Sequence, residues 1–283
     1  MSTILRKTGR FVLRCCQVYK KTFGKTIVHV MFSKERNSLI NKKIIVIGGG
    51  SGIGLGIARE CLAEGAEVLI CARNRSKLEG IIAETSSDKL HCLDWDISDV
   101  KNTSSKLREA LAIMKDMDVF FNCAGVSDYE GGRAYTEEMY DYIVDINTKG
   151  LFFLCLAEGE YLQKRNKGGK IINITSACGD IPGFDPYTIS KWGANCLTKG
   201  LARRLISSQI IVNGIAPGEV PTNITAHLQS HINNNNQFTP LHGSGRFTMV
   251  KEVAKLAVYL ASDDSNNIVG EIIKIDGLSV PPD

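Results

Sequence analysis

The sequence predicts an α/β fold: one doubly wound domain built on a seven-stranded parallel sheet, preceded by a basic N-terminal extension. Apolar runs alternate with helical stretches from residue 43 onward, the first run leads into a glycine turn and a helix, and 43% of the 283 residues are hydrophobic. That content suffices for a sizeable core in a single domain, assigned to residues 43–283, with residues 1–42 as an appendage.

The seven runs are Ile44–Ile47, Val68–Cys71, Leu90–Leu93, Val119–Asn122, Lys170–Ile174, Ile210–Asn213 and Ile272–Ile275. Continuous apolar strands joined by helical crossovers suit a sheet covered on both faces. After the first run come Gly48, Gly50, Ser51, Gly52, Ile53 and Gly54, then a helical stretch from Leu55 to Glu64. Strand, glycine turn and helix start form a Rossmann-like phosphate cradle. Glycine lets the backbone approach a pyrophosphate, and the helix N-terminus favours the anion.

Residues 1 to 43 hold eleven Lys or Arg against one acid, Glu35, so the head is basic and the body mildly acidic. Within residues 3–25, Leu5, Thr8, Val12, Cys15 and Tyr19 recur at helical spacing among Arg6, Lys7, Arg10, Arg14 and Lys20. Such a basic amphipathic helix suits an anionic membrane surface, a partner subunit or a mitochondrial transit peptide. It has no long apolar core or cleavage site, so neither a signal peptide nor a membrane span is expected. Nucleic acid is not an expected partner, because no aromatic residues interleave the basic patch. The nine cysteines are scattered, without Cys-x-x-Cys or histidine at ligand spacing. That argues against a disulfide framework and a zinc site and points to a reducing, cytoplasmic compartment. Asn102, Asn173 and Asn223 head glycosylation triplets, which the cysteine pattern speaks against using. Residues 222–247 carry no strand signal and read as a substrate lid, in which His227, His231 and His242 are expected to be exposed rather than metal ligands.

Tyr187 and Lys191 carry the chemistry. Four-residue spacing on a helix puts a phenol and an ammonium on one face. A free tyrosine titrates near pH ~10, and a neighbouring cation favours the phenolate, moving it toward the working range for proton transfer.

Other motifs follow in order: Asp96 after the third strand, Asn122-Cys123-Ala124-Gly125, Asn147, Ser176, Pro217-Gly218-Glu219-Val220-Pro221-Thr222 and Ile275-Asp276-Gly277. With the glycine turn and the Tyr187/Lys191 pair, residues 43–279 resemble the short-chain dehydrogenase/reductase family, and 3-oxoacyl-acyl-carrier-protein reductases within it. The resemblance implies a ketone/secondary alcohol oxidoreductase using a nicotinamide dinucleotide. It implies that Tyr187 is the acid/base and that Ser176 stabilises charge on the carbonyl oxygen. Lys191 would lower the Tyr187 pKa and hold the nicotinamide ribose, and Asn147 would position a water linking Lys191 to solvent. Asp96, with Ile97, would hold the adenine. Asn122, Ala124, Gly125, Pro217, Gly218, Val220 and Thr222 complete the cofactor set, the last two holding the carboxamide. A homotetramer or homodimer is implied too.

The second strand ends Cys71-Ala72-Arg73 and lacks the acid that would bond a ribose 2′-hydroxyl. Guanidinium recognises phosphate, so Arg73 favours NADP(H) over NAD(H), with Arg75 or Lys77 as helpers.

Three departures stand out. Ile47 replaces a threonine before the first glycine, Leu278 replaces a glycine, and Ser176 lies only eleven residues before Tyr187, a shorter step than the family's usual one. A 3-oxoacyl thioester is one candidate substrate, although only Lys167 of two basic docking positions is kept, Ser208 standing at the other. A sugar or polyol ketone is the second, favoured by the polar lid with Thr222, Asn223, Thr225, Gln229 and Asn233–Asn236. The rival from another class is a non-catalytic NADP-binding sensor or scaffold working through the basic head.

Overall fold

The computed structural model describes residues 37–127, 135–222, 239 and 242–279. Each predicted run forms a strand: β1 (Lys43–Ile47), β2 (Glu67–Ala72), β3 (Leu90–Asp94), β4 (Val119–Asn122), β5 (Gly169–Ile174), β6 (Ile210–Pro217) and β7 (Ile272–Ile275). They form one parallel sheet in the order β3-β2-β1-β4-β5-β6-β7. Strand order reverses between β1 and β4, whose C-terminal ends Ile47 and Asn122 lie opposite each other. In open α/β sheets a crevice for ligands forms at that point.

The strand sequences show why both faces are covered. In β1, Ile44 and Val46 point to one core and Ile45 and Ile47 to the other, all of them buried. Helices α1 (Gly52–Ala63), α2 (Arg75–Thr85) and α7 (Val250–Ala261) cover the first face through Ile57, Cys61, Leu78 and Val253. Helices α3 (Thr103–Met114), α5 (Leu151–Arg165) and α6 (Pro186–Leu205) cover the second through Leu107, Met114, Leu154 and Leu201. Local chemistry sets the helix starts. Asn74 accepts from Lys77 N at 2.9 Å at the head of α2, and Asp185 accepts from Thr188 N at 2.8 Å with Pro186 at the first turn of α6.

Two boundaries differ from the sequence reading by more than one residue. Helix α1 starts at Gly52 rather than Leu55, because the glycine turn feeds directly into it. Strand β6 runs past Asn213 to Pro217, since pairing with β7 overrides the weak strand propensity of Gly214, Ala216 and Pro217. A third feature was not anticipated: α4 (Glu137–Val144) continues into α5 through a π-helical segment, Asp145–Gly150, which contains Asn147. Such widened turns concentrate at functional sites.

The amphipathic segment 3–25 lies outside the described residues, as do His227, His231 and nearly all of 223–241. Among the described residues no helix is long and apolar enough to cross a membrane. The seven described cysteines are unpaired.

Candidate active site

A cleft of about 350 Å³ opens over the C-terminal ends of β1, β4, β5 and β6. Its floor is the glycine turn. Gly48 has φ +79°, and a Cβ there would meet Ala124 N at 2.6 Å; a Cβ on Gly54 would run into the Gly48 carbonyl. Only glycine fits these positions, because the β1 turn and the β4 turn touch backbone to backbone. The missing threonine at position 47 is offset by main-chain bonds: Gly48 N and Gly49 N donate to Cys71 O at 2.8 and 3.0 Å, and Cys123 N donates to Ile47 O at 2.8 Å. Ile47 itself is buried.

The first turn of α1 carries no acid, and Ser51 at its N-cap makes no side-chain capping bond. Its N–H groups are therefore available to an anion, with the helix dipole behind them. This cradle fits the pyrophosphate of a dinucleotide.

At the far end of the cleft, Arg73, Asn74, Lys77, Trp95, Asp96 and Ile97 line the wall. Arg73 and Lys77 are exposed, and Arg73 follows Ala72 at the end of β2. Arg75 is corrected as a helper: its guanidinium donates to Glu79 Oε1 at 2.9 Å and Asp94 Oδ1 at 3.0 Å, and it does not line the cleft. Asp96 Oδ1 accepts from Ser98 N at 3.0 Å and Ser98 Oγ at 2.7 Å, which holds the carboxylate at the rim.

Ser176, Tyr187 and Lys191 meet at the opposite end. Ser176 stands just past β5, and Tyr187 and Lys191 share the first turns of α6, with the ammonium 5.5 Å from the phenol ring centroid. Lys191 is buried, donates to Ile174 O at 3.4 Å, and has its pKa lowered to about 8 because burial penalises the ammonium; the nearby Cys178 and Cys123 oppose that shift. Near neutrality it still bears the charge that favours a phenolate.

Ser176 does two things at once. Its Oγ accepts from Cys178 N at 3.2 Å, which occupies a lone pair and leaves the hydroxyl proton to donate.

Two expected site residues act from behind the cleft. Asn147 is buried; its Oδ1 accepts from Val126 N and its Nδ2 donates to Val126 O, both at 2.8 Å, with a further bond to Ser190 Oγ at 3.0 Å. Its side chain is thus committed to the Val126 backbone, although a Cβ on Gly125 would sit 3.3 Å from Asn147 Oδ1 and 3.4 Å from Lys191 Nζ. Asn122 does not line the cleft either. Its Nδ2 donates to Glu158 Oε2 and Asn173 Oδ1, both at 2.9 Å, in a buried polar knot that ties β4, β5 and α5. At the exit of β4 the cleft is lined by Cys123 to Val126, the residues that follow Asn122. Gly48, Gly50, Ser51, Gly52, Ile53, Gly54, Ala124, Gly125, Pro217, Gly218, Val220 and Thr222 all line the cleft.

Cys123 joins the lining from inside its motif, and Val126, Ile146 and Thr175 join it without a motif of their own. Adjacency to Asn122-Ala124-Gly125 and Ser176 was the available signal. His242 is corrected: it is buried, not exposed, and its Nε2 accepts from Glu219 N at 3.1 Å. Among the described residues no group of three His, Cys, Asp or Glu could hold a metal.

Comparison with known proteins gives this geometry its relatives. Residues 48–277 match the family model described as enoyl-(acyl carrier protein) reductase. The 3-oxoacyl-(acyl-carrier-protein) reductase of Chlamydia trachomatis is 32% identical over 245 residues, covering 84% of this chain and 97% of the relative. Gluconate 5-dehydrogenase of Gluconobacter oxydans is 29% identical, covering 85% of this chain and 95% of the relative. Among solved structures, a short-chain type dehydrogenase/reductase from Mycobacterium marinum superposes with TM-score 0.79 at 26% identity, covering 87% of this chain and 98% of its own. The fold is shared with a Brucella melitensis 3-ketoacyl-(acyl-carrier-protein) reductase complexed with NADH, at TM-score 0.77 and 24% identity, over 86% of this chain and 99% of that one. These relatives support an enzyme rather than a sensor or scaffold. The chain belongs to the short-chain dehydrogenase/reductase family, as an oxidoreductase that interconverts a ketone and an alcohol with a nicotinamide dinucleotide.

Proposed function

We propose that this enzyme is NADP(H)-dependent and that its first substrate class is a 3-oxoacyl thioester. The carrying observation for the cofactor is Arg73, exposed just past β2 and lining the cleft with Lys77, at a strand end whose own residues, Cys71 to Arg73, include no carboxylate for a ribose 2′-hydroxyl. A guanidinium and an ammonium at that wall suit a 2′-phosphate.

A nicotinamide held in this cleft would supply or accept the hydride at the carbonyl carbon. Tyr187 gives or takes the proton on the substrate oxygen. Ser176 donates its hydroxyl proton to the same oxygen as charge develops there, its own lone pair satisfied by Cys178 N–H. Lys191 keeps a positive charge beside the phenol, and Asn147 braces Val126 and the wall at Gly125. Val220 and Thr222, which line the cleft, would hold the carboxamide side of the cofactor.

An apolar chain beyond the ketone is supported by two exposed rings, Phe184 three residues before Tyr187 and Tyr135 against it. Phe184 and Tyr135 stack edge to face at 5.9 Å, in and opposite the shortened loop that Trp192 Nε1 pins by donating to Ile181 O at 2.7 Å. A sugar or polyol ketone is the second reading, favoured by the polar composition of 222–236 and by the Gluconobacter relative. Lys167 lies 3.5 Å from Asp116, and Ser208 accepts from Gln163 Nε2 at 3.3 Å, so a carrier protein would dock here with one loosely paired lysine.

An NADPH oxidation screen over 3-oxoacyl thioesters on coenzyme A and on carrier protein, sugar ketones and polyols tests the reading. Turnover confined to sugar ketones would replace the thioester assignment, and equal use of NADH would remove the role given to Arg73. By its family the enzyme is proposed to assemble as a homotetramer or homodimer, which sedimentation would check.

A further inference from the structure

The loop after β6 carries Val220 and Thr222 into the cleft, while Glu219 between them and Gly218 turns away from it. Behind Glu219 lies His242, whose side chain is fully buried. Its Nε2 accepts from Glu219 N at 3.1 Å and lies 3.6 Å from Glu219 Oε2. A ring nitrogen that accepts an N–H carries no proton, so the proton belongs on Nδ1. Glu219 Oε2 is buried without a hydrogen-bond partner. One nitrogen therefore faces two groups of one residue: a main-chain donor that needs it neutral, and a carboxylate that would take it charged.

The ring has little room to swing away. Gly243 N donates to Leu278 O at 3.1 Å, Ser244 N to Gly277 O at 2.8 Å, and Thr248 N to Glu219 O at 3.1 Å, which locks the segment to both β6 and β7 exits. A Cβ on Gly277 would stand 3.2 Å from His242 Nδ1, and the Phe247 ring lies 6.1 Å from the imidazole. The charged groups facing it are Glu219 from the β6 loop, Asp276 after β7, and Arg246 from its own segment, the last forked onto Glu252 of α7 at 2.7 Å twice.

We propose that His242 is a positioning residue for the cofactor-holding loop: neutral, it accepts the Glu219 N–H and holds Val220 and Thr222 against the cleft; protonated, it gives up that bond for the Glu219 carboxylate and slackens the loop. This rests on the cleft being the nicotinamide dinucleotide site. Burial lowers the His242 pKa, with Asp276 opposing, so the neutral form holds above the ordinary value near ~6.5 and is lost as pH falls through the lower folded value.

The test uses the full chain, as wild type, His242→Gln and His242→Leu, titrated with NADPH and NADH from pH 5 to 8, with the imidazole nitrogens followed by ¹⁵N NMR. The expected wild type shows an Nδ1–H tautomer at pH 7.5 and binds roughly fivefold more weakly once His242 is protonated, the scale of one lost hydrogen bond. His242→Gln keeps an acceptor without a titrating proton, so its affinity should stay near the wild-type neutral value at all pH values; His242→Leu should be weak throughout. An Nε2–H tautomer at pH 7.5, an affinity that stays flat while NMR records His242 protonating, or an acid loss retained by His242→Gln would each overturn the proposal. Should His242→Leu fail to fold, the tautomer and the glutamine variant decide. Binding of neither nucleotide at any pH would overturn the cofactor reading along with this one, whereas flat binding would overturn this one alone.

Discussion

Replacing Lys191 with methionine should stabilise the protein while disabling it. The ammonium is buried, with a 3.4 Å bond to Ile174 O, and its pKa is lowered to about 8 from the ordinary 10.5. A shift of that size corresponds to a penalty on the order of 3 kcal/mol for holding the charge in the folded state. Methionine has a similar length and no charge, so it escapes the penalty and forfeits a long hydrogen bond worth about 1 kcal/mol. The net gain near pH 7 is then about 2 kcal/mol, or roughly 4–8 °C in Tm for a chain of this class. The sign with pH follows from the depressed value. Below pH 8 lysine is protonated folded and unfolded, and the full penalty applies; between 8 and 10.5 the folded state sheds its proton first, and wild-type stability rises. Thermal denaturation of the cofactor-free proteins at pH 7 and pH 10 should therefore show a gap that narrows at the higher pH, alongside a loss of kcat/KM of roughly 10²-fold or more. A methionine variant less stable than wild type at pH 7, or a gap indifferent to pH, would refute the account of Lys191 as a charge held at a cost.

Other outcomes follow from the same geometry. Tyr187→Phe should lower kcat by roughly 10²–10⁴-fold, the usual worth of a positioned acid/base, with NADPH affinity by calorimetry nearly unchanged; activity near wild type would remove Tyr187 from the proton path. Arg73→Asp should weaken NADPH by roughly tenfold or more relative to NADH, since a charge-assisted bond to phosphate is exchanged for repulsion, and steady-state KM values for both cofactors check it. Glu158 is buried with Oε1 unpartnered and its pKa pushed up to about 8 by burial. Its raised value means stability falls as pH climbs from the ordinary carboxylate range to 8, so Glu158→Gln, which can still accept from Asn122 Nδ2, should gain more in Tm at pH 8 than at pH 5. Equal gains at both pH values would show that Glu158 titrates near the ordinary carboxylate value in the folded protein.

The strands, the cradle and the Tyr187/Lys191 pair were legible because their information is local. A run such as Ile44–Ile47 can be buried on two faces only in a covered sheet, and Gly48 and Gly54 announce close backbone approach wherever the chain goes next. Side-chain commitments were harder to read. Arg73 and Arg75 are two residues apart and chemically alike, yet α2 and β3 bring Glu79 and Asp94 to Arg75 alone and leave Arg73 at the cleft. Asn147 read as a residue that positions a water, and nothing in its sequence surroundings signalled that its side chain, carried on a π-helical segment, also braces the Val126 backbone. His242 read as exposed because polar residues surround it in sequence; the β6 and β7 exits that bury it lie more than twenty residues away.

Sequence alone thus determined the fold class, the nucleotide cradle and the pairing of Tyr187 with Lys191, since periodicity, glycine spacing and four-residue helical spacing act over a few residues. Only the tertiary structure decided which charged and amide side chains reach the cleft. That choice depends on which carboxylate or carbonyl from a distant strand arrives first, and hydrogen-bond capacity once committed is no longer free for a ligand.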